Sequence, residues 1–331
     1  MAFDNIKLEK SLYTTGKSFT AALEELDPSE NYKGTSLEGL DAYERQLKRF
    51  DIKVSGKGSD SVSKFFRTSE SAALFPEYVS RAVRTGLDYN ESVAEIIAST
   101  TEIDSLDYRS VMTQLNLDNF ELNYLDEGQS LPEFTIKLSE KLTKLKKHGK
   151  MLVASYEAIK FQKLDLFTTV LKQIGDFIAK SEFYQSIEAI GADSNINAIQ
   201  STNKALTFND LLDLWESFNQ FNMTTLMVSK KTLRDILAMP EFRDANAGLD
   251  FHATGNIVTP FGAKVIVSTA IDDKTICAVD KNYALEKVQA GGITTEFDKL
   301  IDRQLERATI STITGFSVIY SDAIKILALA E

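Results

Sequence analysis

Between residues 131 and 191 a lysine-studded extended arm runs into a long amphipathic helix, and neither half makes a compact unit alone. In the arm, Phe134, Ile136 and Leu138 alternate with polar residues, which predicts one side of a β-ribbon. Ser155 suits an N-cap, with Glu157 in the first turn. Apolar residues then recur at Ile159, Leu166, Phe167, Val170, Leu171, Ile174, Phe177 and Ile178, until Gly191 offers a stop. One unbroken helix over 155–191 would be a rod of roughly 50 Å. A projecting ribbon hinged to such a rod suits contact with other copies of the chain better than it suits a pocket.

Charge along the ribbon is divided by sign. Residues 118–133 hold five acids and no lysine or arginine, whereas residues 134–150 hold six lysines and one glutamate. Two readings stand open. Either the charges keep an exposed edge from aggregating, or Asp126, Glu127, Lys137, Lys141, Lys144, Lys146 and Lys147 form inter-subunit contacts whose complementarity favours correct register. The total of −11 argues against a protein whose task is to grip DNA phosphates, since that affinity needs clustered Lys and Arg. A container for nucleic acid is compatible with it, because such a surface does not adhere along the whole polymer.

The chain has 331 residues, 43% of them hydrophobic, enough for one large or two ordinary domains. Its apolar runs are short and interrupted by charge, and the start has no signal-peptide layout, so a soluble protein made in the cytoplasm is expected. Cys277, the only cysteine, lies in the run Thr-Ile-Cys-Ala-Val and reads as a small buried hydrophobe.

Little in the chain promises catalysis. Gly16-Lys17-Ser18 resembles the end of a phosphate loop, but position 11 is serine where the motif needs glycine. His148 and His252 have no metal-ligand spacing around them and read as exposed loop residues. Asp272-Asp273 falls in the predicted turn of a hairpin over 264–279, and Ser61-Val-Ser-Lys64 lacks the companion motifs of an acylase. Trp215 follows helical spacing with Leu211, Leu212 and Phe218 and is expected in a core.

The remainder divides into smaller pieces. Residues 1–50 predict two helices, around 6–26 and 39–50, split by the turn at Asp27-Pro28; they read as an accessory segment that could be deleted with the subunit fold largely intact. A flexible joint at 54–63 is followed by residues 64–79, which read as an extended arm. Thr224 to Ser229 predicts a short buried strand, Ser229 caps a helix over 230–239, and Pro240 ends it. The tail over 309–329 is β-rich and ends in a strand that needs a sheet to join.

Several of these pieces, in order, resemble the major capsid proteins of tailed bacteriophages, which have the Hong Kong 97 fold. The resemblance is carried by Leu74-Phe-Pro-Glu-Tyr-Val-Ser-Arg-Ala-Val, Lys144-Leu-Lys-Lys-His-Gly-Lys, Ser155-Tyr-Glu-Ala-Ile, Met227-Val-Ser-Lys-Lys-Thr-Leu-Arg-Asp-Ile-Leu, Phe261-Gly-Ala-Lys-Val-Ile-Val-Ser and Ala278-Val-Asp-Lys-Asn-Tyr-Ala-Leu-Glu. It covers roughly 60–329. After the N-terminal helical segment (1–55) read from the residues themselves, it implies an α+β fold with an N-terminal arm that starts the peripheral domain (56–106) and an extended β-hairpin loop (107–148). A peripheral domain with a spine helix (149–194), a mixed α/β axial domain (195–276) and a return to the peripheral domain (277–331) complete it. It further implies a non-enzymatic shell of pentamers and hexamers around double-stranded DNA, without cofactor, metal or membrane. Portal, scaffolding protein and maturation protease are the implied partners, and the virion the implied location after assembly in the host cytoplasm. A nanocompartment shell holding a cargo enzyme is the alternative, and a soluble hydrolase is the third reading. Two family features are missing: a long charged N-terminal coiled coil, and a residue match for a covalent lysine crosslink.

Overall fold

The computed structural model describes residues 2–14, 18–88, 92–113, 136–138, 142–196, 198–201, 203–243, 259 and 261–330. Its helices are α1 (Phe19–Leu26), α2 (Ala42–Arg49), α3 (Ser69–Ala72), α4 (Phe75–Asp88), α5 (Tyr156–Phe161), α6 (Leu164–Gly191), α7 (Phe208–Glu216), α8 (Lys230–Ala238) and α9 (Pro240–Arg243). The first strands are β1 (Ile97–Glu102), β2 (Asp107–Tyr108), β3 (Val111–Thr113), β4 (Ile136–Leu138), β5 (Thr143–Lys144), β6 (Lys146–Ser155) and β7 (Ala198–Gln200). The later ones are β8 (Thr225–Val228), β9 (Lys264–Val267), β10 (Thr275–Val279), β11 (Leu285–Gln289), β12 (Thr294–Leu300), β13 (Leu305–Val318) and β14 (Ile324–Ala328). The chain forms two compact units: residues 1–90, 148–180 and 293–312, and residues 91–147, 181–292 and 313–331.

The core of the first unit is built on α4 and the first turns of α6. Phe75, Tyr78, Val79, Ala82, Val83 and Gly86 recur at helical spacing along the buried face of α4, and Leu164, Phe167, Leu171, Ile174 and Ile178 do so along α6. Phe65, Phe75, Tyr78 and Phe167 form a ring cluster with centroids 5.3–6.4 Å apart, and the Tyr78 hydroxyl donates to the Leu164 carbonyl at 2.8 Å. The extended arm expected over 64–79 is therefore helical. Its proline stands at the second position of α4, where a missing N–H costs no intrahelical bond.

The two helices cross at glycines. A Cβ built on Gly175 would lie 2.1 Å from the Val83 carbonyl oxygen, and one on Gly86 would lie 2.0 Å from that of Lys172. Backbone meets backbone here, with no side-chain end that can yield. Gly175→Ala gains about 1 kcal/mol of helix propensity but must push the helices apart. A net loss of about 1–3 kcal/mol is expected, read from thermal denaturation followed by circular dichroism.

The N-terminal residues share this core. Leu8, Phe19, Leu23, Tyr43 and Leu47 are buried with Val62, Leu74 and Val83, so removing 2–50 would strip one side of the unit; the expectation that the subunit fold survives that deletion is overturned. The first predicted helix is shorter than expected. Two 3-10 turns precede α1, which Ser18 caps by accepting from the Ala21 N–H, and Asp41 with Glu44 closes a capping box on α2. Arg45 is fully buried in this segment. Its guanidinium donates to Asp27 Oδ2 at 2.8 Å and to the Leu40 carbonyl at 2.7 Å, and lies 4.4 Å over the Tyr32 ring, whose hydroxyl donates to Asp27 at 2.6 Å.

The long helix is broken once. The Gln162 carbonyl accepts from Val62 N–H at 2.9 Å and Leu164 N–H donates to Asp60 at 2.8 Å, so residues 162–163 pair with the 60–62 segment instead of continuing the helix. Of the rod expected over 155–191, α6 forms 28 residues, roughly 42 Å. Its apolar residues also divide. Phe167, Leu171, Ile174 and Ile178 are buried, whereas Leu166, Val170 and Phe177 are exposed on another face.

In the second unit a five-stranded sheet runs in the order β7-β14-β10-β8-β9. Strand alternation divides its apolar residues between two layers: Leu226, Val228, Ile276, Ala278 and Leu327 join α7 and α8 in one core, and Met227, Cys277, Val279 and Ile324 join Ile190 and Phe316 in the other. The hairpin expected over 264–279 does not form. Strand β8 lies between β9 and β10, parallel to the first and antiparallel to the second, because α8 carries the chain across to the far edge. The expected strand over 224–229, the Ser229 cap of α8 and the end of that helix before Pro240 are all present. Strand β14 joins the sheet beside β10, as the tail requires.

Candidate assembly surfaces

A ribbon leaves the second unit through two antiparallel pairs. Asp107 and Tyr108 of β2 face Lys144 and Thr143 of β5; Val111, Met112 and Thr113 of β3 face Leu138, Lys137 and Ile136 of β4. This is the hairpin that the alternation at Ile136 and Leu138 predicts, while Phe134 lies outside the described residues. Lys137 stands opposite Met112 in the register and Lys144 opposite Asp107. Lys144, Lys146 and Lys147 are exposed, and Lys146 Nζ meets Glu188 Oε2 of its own chain at 3.2 Å. Both partners of that pair are more than half exposed, so it contributes only about 0–1 kcal/mol. Asp126, Glu127 and Lys141 lie outside the described residues.

The root of the ribbon is held by a residue with no sequence motif. The Glu286 carboxylate on β11 is buried and accepts from Thr101 Oγ1 at 2.5 Å, from the Tyr108 hydroxyl at 2.9 Å and from the Ser110 hydroxyl. Its neighbour Lys287 points the other way, as strand geometry demands, and donates to Glu182 of α6 at 2.7 Å. Adjacent side chains of one strand thus fasten the ribbon root and the helix end. The only advance signal was a Glu-Lys pair between the apolar Leu285 and Val288 of β11. Nearby, Glu95 receives Lys264 at 2.9 Å and Lys281 at 3.4 Å; the Lys264 hydrogen bond is the largest influence holding its carboxyl below the usual range.

Exposed apolar side chains mark other surfaces. In the first unit, Met151 and Val153 of β6 and Leu166, Val170 and Phe177 of α6 are at least two-fifths exposed, with Lys150 Nζ 3.9 Å from the centre of the Phe177 ring. In the second, Trp215 is 49% exposed and stacks on Phe261 with centroids 5.9 Å apart, which overturns its expected place in a core. The helix buries Leu211 and Leu214 instead, and Trp215 falls one position past that face.

Side chains with chemical potential are occupied structurally. Burial pushes the Cys277 thiol up to about 12, so it stays protonated, as a small hydrophobe. His148 lies half-buried on β6 rather than in an exposed loop, and His252, Gly16 and Lys17 fall outside the described residues. Ser61 contacts Ser63 at 2.7 Å, while Lys64 meets Asp51 and Asp60 at 3.1 and 3.0 Å. Asp273 accepts from Ser229 at 2.7 Å, beside the cap of α8. Among the described residues no group of three or more His, Cys, Asp or Glu could hold a metal ion, and no helix is long and apolar enough to cross a membrane.

Comparison with known proteins bears on the fold and the family. The virus-like particle of Pyrococcus furiosus shares 13% identity with this chain, over 76% of it and 98% of the particle protein, with a TM-score of 0.54. The capsid of an empty GTA particle shares 15% identity over 73% of this chain and 90% of its own, with a TM-score of 0.55. The SrpI encapsulin of Synechococcus elongatus PCC 7942 shares 10% over 72% and 86%, at a TM-score of 0.51. At such identities the likeness is one of fold, the α+β fold of Hong Kong 97 type. No curated protein sequence matches the chain. The model of the phage capsid protein family matches residues 139–318, from the returning arm of the ribbon through α6 to the end of β13. That is just over half of the 331 residues, and the chain therefore belongs to the phage capsid protein family.

Proposed function

We propose that this chain is the major subunit of an icosahedral head, assembling as pentamers and hexamers around double-stranded DNA. The family match over 139–318 carries the reading, because that span contains the α6 rod and strands β5 to β13, with Glu286 at the ribbon root among them. The ribbon and the exposed apolar faces of β6 and α6 are surfaces that a shell would cover. Assembly would take place in the host cytoplasm with a portal, a scaffolding protein and a maturation protease, and the product would be the virion. The expected divisions at 55, 106, 148, 194 and 276 remain part of this proposal. A net charge of −11 suits a wall that encloses DNA without gripping it.

The encapsulin likeness favours a second reading, a shell around a cargo enzyme. Nuclease treatment of particles isolated from producing cells, followed by sizing of the protected nucleic acid, decides between them. Protected double-stranded DNA of uniform length is expected; particles with a co-purifying enzyme and no DNA would establish the nanocompartment.

The ribbon lysines are assigned to contacts between subunits. Changing Lys144, Lys146 and Lys147 together to Glu should shift subunit stability by no more than about 1 kcal/mol, since all three are exposed. Particle yield in sedimentation should fall, because each weak contact recurs in every copy. Equal yields for wild type and variant across a range of salt would return these lysines to a solvated edge.

A further inference from the structure

Helices α7 and α8 present outward faces of opposite charge. On α7, Leu212, Asp213, Trp215 and Glu216 are exposed, and the helix contains no lysine or arginine. Its remaining acid, Asp210, is buried, accepting from Thr207 and Ser201, and takes no part in that face. On α8, an open groove of ≈ 440 Å³ is lined by Lys230, Leu233, Arg234, Leu237 and Ala238. Lys231 is exposed beside it, 3.8 Å from Asp273, and Arg234 meets Asp235 at 2.8 Å. These are solvent-exposed pairs that exchange easily for better partners.

We propose that the α7 face of one copy docks on the α8 groove of a second copy. The Trp215 indole and Leu212 enter between Leu233 and Leu237, while Asp213 and Glu216 meet Lys230, Lys231 and Arg234. An aromatic anchor inside a rim of complementary charge is the usual composition of a specific contact, and the charges fix its register. Two different faces of one chain meet, so the contact is head-to-tail, and repetition about a rotation axis closes a ring. The inference rests on the shell reading above and names a contact that reading leaves open.

Trp215 is the only tryptophan of the chain, so intrinsic fluorescence reports on this surface without any substitution. Assembly of the wild-type protein should blue-shift the emission and lower its acrylamide quenching constant by roughly twofold or more, as a half-exposed ring becomes covered. Two charge variants supply the second arm, each with its melting curve compared with wild type. Asp213→Lys/Glu216→Lys alone and Lys230→Glu/Arg234→Glu alone should each lower particle yield by roughly tenfold, because like charges then face each other. Combining both pairs of changes in one chain should recover it, since opposite charges then meet again at every contact, in five- and six-membered rings alike. Particles that form with Trp215 emission and quenching unchanged would overturn this contact and leave the shell reading standing. So would charge variants that assemble like wild type, or a normally melting combined variant that does not recover. Absence of any particle from the wild-type chain, alone and with a scaffolding protein, would overturn both.

Discussion

Ile174→Asp is expected to abolish cooperative folding of the first unit, at a cost above about 4 kcal/mol. Ile174 is buried with Leu171 and Ile178 on the face of α6 that packs against α4. An ionised carboxylate there would be desolvated without a partner, and a protonated one would still lose the packing of a branched side chain. Phe177→Asp, three residues on, should change stability by no more than about 1 kcal/mol, because Phe177 is 40% exposed and already lies beside Lys150. Urea denaturation of the two variants measures the difference. Soluble Ile174→Asp protein with a wild-type midpoint would place the buried face of α6 elsewhere.

Arg45→Met should cost about 3–5 kcal/mol, although methionine fills much of the same volume. Arg45 and Asp27 are both fully buried, and the arginine also serves the Asp27 and Leu40 carbonyls and the Ser29 hydroxyl. Its removal leaves the buried Asp27 carboxyl without its cation, with the Tyr32 hydroxyl still donating to it at 2.6 Å. The double variant Arg45→Met/Asp27→Leu should recover part of the loss, since replacing both members of a buried pair is far less costly than orphaning one. Thermal melting of the single and double variants checks this; equal destabilisation of both would show that the pair is not the source of the effect.

Periodicity made the α6 rod, the β3–β4 ribbon, β8 and the Ser229 cap readable, because each is decided by neighbours within a few positions. The same signal was present in α4, where Phe75, Tyr78, Val79, Ala82, Val83 and Gly86 keep helical spacing. Pro76 hid it, since a proline near an apolar run reads as a breaker until it is placed in the first turn. Other features depend on distant chain. The break at residues 162–163 is made by the 60–62 segment, and β9 and β10 fail to pair because β8, which ends at Val228, 36 residues before β9 begins at Lys264, inserts between them. Among the assembly surfaces, the ribbon and its lysines were visible as a charge division. The Glu286 clamp was not, since its three hydroxyl donors lie some 180 residues away in sequence. Trp215 has the spacing of a core residue, and only the packing of Leu211 and Leu214 beneath α7 turns it outward.

Electron microscopy of the purified full-length protein, at concentrations spanning its assembly, tests the shell function most directly. Closed particles of uniform diameter, with fivefold and sixfold clusters of subunits on their surface, are the expected result. A protein that stays monomeric or forms only small soluble oligomers under every condition, alone and with a candidate scaffolding protein, would contradict it.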